Sequence, residues 1–209
     1  MIITEKKPYG EVLSHLKGCG NVAVLGCGRC ATTCQTGGEA EVAEMVEYLK
    51  SEGISVEYSQ VVEAQCDQRL AVKAVKAAGD VDAFVSMACG SGASALADLT
   101  EKTVVPSNNT LFLGVVRRIG EYDERCSMCG DCTLTQTAGV CVKTRCSKKL
   151  LNGPCGGSID GKCEVGGGRE CAWGMIVKKL KSRESVDDIK SIREPSRISE
   201  NNRPRRMGG

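Results

Sequence analysis

Between Cys126 and Cys171 the chain reads CSMCGDCTLTQTAGVCVKTRCSKKLLNGPCGGSIDGKCEVGGGREC, eight cysteines in 46 residues with few large apolar side chains between them. A segment of this composition cannot bury enough apolar surface to fold by hydrophobic burial. Disulfides or thiolate–metal bonds must crosslink its loops instead. The spacing is C-x2-C-x2-C-x8-C-x4-C-x8-C-x7-C-x7-C. The amino end, MIITEKKPYGEVLSHLKGCG, lacks the continuous apolar run of a signal peptide, and no 18-residue apolar span follows, so a soluble cytoplasmic protein is expected. In a reducing compartment the fourteen cysteines of the chain read as metal or redox ligands rather than as a disulfide framework.

Two hundred and nine residues suit one large or two small domains, and a 41% apolar fraction allows a genuine core in at least one. A formal net charge of +2 and 3% aromatic residues provide neither a basic face nor a stacking platform, which argues against a nucleic-acid partner.

Residues 1–120 alternate strand and helix patterns. Glu11 to Lys17 is a short helical candidate, NVAVLG (Asn21 to Gly26) a buried strand, and GGEAEVAEMVEYLKSEGI a helix with Val42, Met45, Val46 and Leu49 at helical spacing. ISVEYSQVVEAQC, QRLAVKAVKAAG, VDAFVSMAC, SGASALADLTE and TLFLGVV continue as strand, helix, strand, helix and last strand. This order predicts an α/β fold: a small, mostly parallel sheet with flanking helices. An irregular cysteine-rich domain (121–182) ending in the helix CAWGMIVKKLK follows, and then a charged tail (183–209).

Carboxyl ends of parallel strands share one edge. Cys27, Cys66 and Cys89 fall after three of the expected strands, while Cys30 and Cys34 lie before the first long helix. In GCGRCATTC a short loop presents several thiolates to one inorganic group. Cys27, Cys30, Cys34 and Cys89 are the favoured ligands of a [4Fe-4S] cluster, with Cys66 as substitute; Cys19 matches no ligand pattern. The same loop fails as a dinucleotide fingerprint because Ala31 or Cys30 stands where the third glycine is needed.

In the second half, CSMCGDC begins like a bacterial ferredoxin run, but the fourth cysteine comes eight residues later. Cys126, Cys129, Cys132, Cys141, Cys146, Cys155, Cys163 and Cys171 divide into two four-thiolate sites: two [4Fe-4S] clusters, or one cluster with one structural zinc. Spacing does not say which cysteine serves which. No catalytic residues are evident. His15, the only histidine, lies on a helical candidate without a partner for base catalysis. Trp173 reads as a packing residue, and the tail reads as solvated or as an arm laid on a partner through Arg197, Arg203, Arg205 and Arg206.

TRCSKKLLNGPCGGSIDGKCEV followed by CAWGMIVKKLK closely resembles the cysteine-rich C-terminal domain family of methylenetetrahydrofolate reductases, and GCGRCATTCQTGGEAEV resembles the amino-terminal half of its stand-alone members. The resemblance covers roughly residues 18 to 182. It implies an iron–sulfur small subunit that carries electrons to or from a flavin-containing catalytic subunit reducing methylene- to methyl-tetrahydrofolate in the Wood–Ljungdahl methyl branch. FMN is expected in that partner and two or three [4Fe-4S] clusters here; further electron-donor subunits are left open. An electron carrier for another flavoprotein and a structural zinc interaction module are the alternatives.

Overall fold

The computed structural model describes residues 1–195 and Arg205. The chain divides into two compact units, Met1–Asp123 and Glu124–Gly209. In chain order the first contains β1 (Ile2–Lys6), α1 (Tyr9–Ser14), β2 (Asn21–Cys27), α2 (Cys30–Thr33), α3 (Glu39–Ser51), β3 (Ser55–Val62), α4 (Gln68–Ala78), β4 (Ala83–Ser86), α5 (Gly90–Ala97), β5 (Thr103–Pro106) and β6 (Asn108–Arg118). β7 (Glu121–Cys126) follows and runs past the division.

Four strands form a parallel sheet in the order β3-β2-β4-β5. β2 is central, and Val22, Ala23, Val24 and Leu25 are fully buried, as expected of a strand covered on both faces. Alternation then assigns each side chain to a layer. Val22 and Val24 pack with Met45 and Leu49 of α3 and Val12 of α1, whereas Ala23 and Leu25 pack with Ala74 and Ala78 of α4 and Leu96 of α5. α3 is helical because Val42, Met45 and Leu49 recur on one face and Glu39 and Glu41 favour its first turn; the Glu41 carboxylate accepts the Gly38 N–H at 2.8 Å. The loop entering α3 presses on the sheet edge: the Cys27 N–H donates to Gly37 O at 2.8 Å, and a Cβ on Gly37 would stand 1.9 Å from Met87 O. Only glycine fits there.

TLFLGVV is a strand, but not the last strand of the parallel sheet. It lies in β6, the middle of an antiparallel sheet of order β1-β6-β7. The fourth parallel strand is instead β5, a four-residue piece ending at Pro106, which sits on the sheet's edge where a missing N–H is tolerated. β1 was not expected because IITEK is short and mixed in polarity. It is fixed by pairing with β6, more than a hundred residues away in sequence, and by the Lys7 N–H donating to Ser107 O.

In the second unit the described regular elements are α6 (Val142–Arg145), α7 (Ala172–Lys181) and a 3-10 turn at Val186–Ile189. Its apolar cluster is small: Val140, Val142, Trp173, Ile176 and Leu180 with two alanines. Trp173 is buried within it, as a packing role requires, and its indole N–H donates to Leu150 O at 3.0 Å. No described helix is long and apolar enough to cross a membrane.

Candidate metal centres

The second unit places Cys146, Cys155, Cys163 and Cys171 around one apolar pocket, walled by Leu150, Ala172 and Trp173. Local structure explains how the four meet. Cys146 closes α6 and Cys171 is the N-cap of α7, so two helix ends present thiols to the same space. Cys163 is held by a bridge, its N–H donating to Arg169 O at 2.8 Å, and the Cys171 N–H donates to Gly161 O at 2.8 Å. The Cys155 thiol donates to Glu164 at 3.0 Å, and Lys148 pairs with the same carboxylate. That thiol first and the Lys148 ammonium second hold the Glu164 carboxyl below its ordinary range. Lys148 and Glu164 are pocket-lining charges that sequence reading passed over; the signal was Glu164's position directly after Cys163.

Cys126, Cys129, Cys132 and Cys141 lie in the preceding stretch. Met128 and Gly130 take positive φ, 54° and 81°, which curls C-S-M-C-G-D-C tightly. The Met128 N–H points at the Cys126 sulfur at 3.3 Å, as peptide N–H groups do around thiolate ligands. Burial opposes ionisation of Cys129, but the Asp131 backbone and the Lys143 ammonium outweigh it and hold the thiol below its ordinary value. Lys143 donates to Asp131 at 2.7 Å and stands two residues after Cys141, the N-cap of α6. Arg193 also pairs with Asp131, so two cations gather beside this loop. Cys132 is exposed.

In the first unit, Cys27 ends β2, Cys66 lies between β3 and α4, and Cys89 is the N-cap of α5, so all three sit at the carboxyl edge of the parallel sheet. Cys30 opens α2 and Cys34 closes it. Cys19 packs against the main core cluster, and His15 is exposed at the end of α1. Of the tail arginines proposed as a docking arm, Arg205 donates to Met128 O at 2.8 Å within the second unit; Arg197, Arg203 and Arg206 lie outside the described residues.

Among the described residues no three Cys, His, Asp or Glu side chains stand close enough to hold a single metal ion. A cluster makes a different demand, because its own iron and sulfide separate the ligating thiolates. Four thiols lining one apolar pocket fit such a group in chemistry.

Residues 105–199 match the protein family described as "Methylene-tetrahydrofolate reductase C terminal". The matched stretch contains all eight cysteines from Cys126 to Cys171. Searches of curated proteins and of solved structures returned no match.

Proposed function

We propose that this chain is the iron–sulfur electron-transfer subunit of a methylenetetrahydrofolate reductase complex, serving the flavin of a separate folate-binding catalytic subunit. The observation that carries the reading is the apolar pocket lined by Cys146, Cys155, Cys163 and Cys171, which falls within the stretch that matches the reductase-associated family. Cys126, Cys129, Cys132 and Cys141 supply the second four-thiolate site. A [4Fe-4S] cluster at each would supply reversible one-electron transfer, the currency a flavin accepts before it delivers a hydride.

The chain's own residues set the environment. Lys143 places positive charge beside Cys129 and favours its thiolate, and the Met128 N–H points at the Cys126 sulfur. Trp173, Leu150 and Ala172 give the pocket of Cys146, Cys155, Cys163 and Cys171 apolar walls. These are the levers that tune a cluster's potential: nearby charge, N–H···S bonds and solvent exclusion.

The test is anaerobic transfer between purified subunits. The chain, reduced and freed of excess reductant, is mixed with the flavin-bearing reductase subunit from the same source while flavin absorbance is followed. Bleaching of the flavin that scales with added chain is expected. An unchanged flavin spectrum would contradict the role.

A further inference from the structure

We propose that the α/β unit carries a third four-thiolate site, suited to an iron–sulfur cluster and built from Cys27, Cys30, Cys66 and Cys89, with Cys34 left outside it. The inference rests on the iron–sulfur reading above but concerns residues that precede the family match at 105–199. It also departs from spacing, which favoured Cys34 over Cys66.

The argument begins with Gln65, fully buried at the carboxyl edge of the sheet. Its Nε2 donates to Leu25 O at 3.0 Å and to Gly26 O at 3.3 Å on β2, while its Oε1 accepts from Ser86 Oγ at the end of β4. A buried amide must satisfy both its ends, and here both partners are strand termini. The loop after β3 is thereby pinned across the ends of β2 and β4. The next residue is Cys66, so the anchor sets its thiol beside the two strands that lead to Cys27 and Cys89.

Two further observations close the group. A Cβ on Gly92 would stand 3.2 Å from Gln65 Cβ and 3.6 Å from the Cys66 nitrogen, so the first turn of α5, capped by Cys89, lies directly on Cys66. Cys27 packs in one small cluster with Ala31 and Ala88, the neighbours of Cys30 and Cys89.

Cys34 faces elsewhere. Its thiol is buried and directed at Ile2 O of β1 at 3.8 Å. Cys30 is also touched by β1, but as an acceptor: the Ile2 N–H points at its sulfur at 3.4 Å. Cys30 thus offers its sulfur to a backbone donor, as ligating sulfurs do, whereas Cys34 is turned to a backbone carbonyl of β1. Helix starts add to the contrast. Cys89 caps the eight-residue α5 and Cys66 directly precedes the N-cap of the eleven-residue α4, so both stand at positive helix ends, while Cys34 stands at the carboxyl end of α2.

The test compares Cys66→Ala and Cys34→Ala in the full chain, purified anaerobically and assayed for iron, acid-labile sulfide and EPR signals after reduction. Cys66 is exposed, so its replacement leaves the core intact, and far-UV circular dichroism checks this. Wild type is expected to hold roughly twelve irons per chain, with Cys66→Ala losing about four irons and four sulfides and Cys34→Ala losing none. Loss in Cys34→Ala with retention in Cys66→Ala would overturn the ligand set. Roughly eight irons in wild type, unchanged by Cys66→Ala, would overturn the third site while leaving the second unit's two sites standing. Absence of sulfide from wild type would remove both this inference and the iron–sulfur reading.

Discussion

The two units solve the same folding problem by different means. In Met1–Asp123 a central strand buried on both faces, three long helices and two sheets remove enough apolar surface for a core to form from side chains alone. In the unit from Glu124 onward the apolar cluster is small, glycines at 153, 156, 161, 166, 167 and 168 take positive φ, and cysteines stand at helix ends. Backbone freedom of that degree raises the entropy lost on folding, which apolar contacts on this scale do not offset. The lesson is that thiols lie in different relations to stability in the two halves. Where a large core exists they stand at a sheet edge; in the second unit they stand at helix ends beside a small apolar cluster, and on the reading proposed above metal-bound thiols make up the difference.

The sharpest way to break this contrast is to remove ligands from each unit in turn. Replacing Cys146, Cys155, Cys163 and Cys171 together by Ala, or stripping metal with a strong chelator, is expected to unfold the second unit, a loss on the order of 10 kcal/mol if these thiols anchor a structural metal group. Limited proteolysis should then leave a resistant fragment near residues 1–123. Equal survival of both halves would show that the second unit does not depend on its thiols. Conversely, Phe84→Ala, at a side chain 1% exposed, should destabilise the first unit by about 3–5 kcal/mol in urea titration while the metal content of the second unit is unchanged. Gly37→Ala should lower the same midpoint by about 1–3 kcal/mol, because the new methyl meets the Met87 carbonyl and the strand-edge loop must move.

Two smaller effects sharpen the comparison. Trp173→Phe keeps most of the second unit's apolar contact but strips the donor from Leu150 O, and about 1 kcal/mol should be lost in thermal melting of metal-loaded protein. In the first unit, Asp82 accepts the Asn21 N–H at 3.0 Å and the Gly20 N–H at 2.7 Å, and those bonds, in that order of weight, hold its carboxyl below the ordinary range. A depressed folded value stabilises above the unfolded pKa and is lost as pH falls through the folded one. Asp82→Asn should therefore be slightly less stable than wild type near neutrality, with the gap closing in acid. A gap independent of pH would show that the carboxylate's charge plays no part.

Much of the first unit was legible in sequence because its signals are long and local. NVAVLG has the unbroken apolar run of a central parallel strand, and α3 repeats Val42, Met45 and Leu49 with an acidic first turn. β5 and β1 were not legible, being four and five residues long with mixed polarity, and TLFLGVV was assigned to the wrong sheet because its true partner lies at the other end of the unit. The thiol count was plain from spacing, but the grouping was not. Cys146 and Cys171 meet because α6 ends where α7 begins in space, a tertiary fact without a local signature. The place of Cys66 was not legible for the same reason: Gln65, a polar residue with nothing to mark it as buried, pins the loop before it through hydrogen bonds to strands about 20 and 40 residues away.

The most direct test of the account is iron and acid-labile sulfide on anaerobically purified full-length protein, with EPR before and after reduction. The account predicts iron and sulfide in equal amounts, in multiples of about four per chain, with signals that appear on reduction. Zinc bound without sulfide would contradict it and would leave the chain a structural scaffold rather than a carrier of electrons.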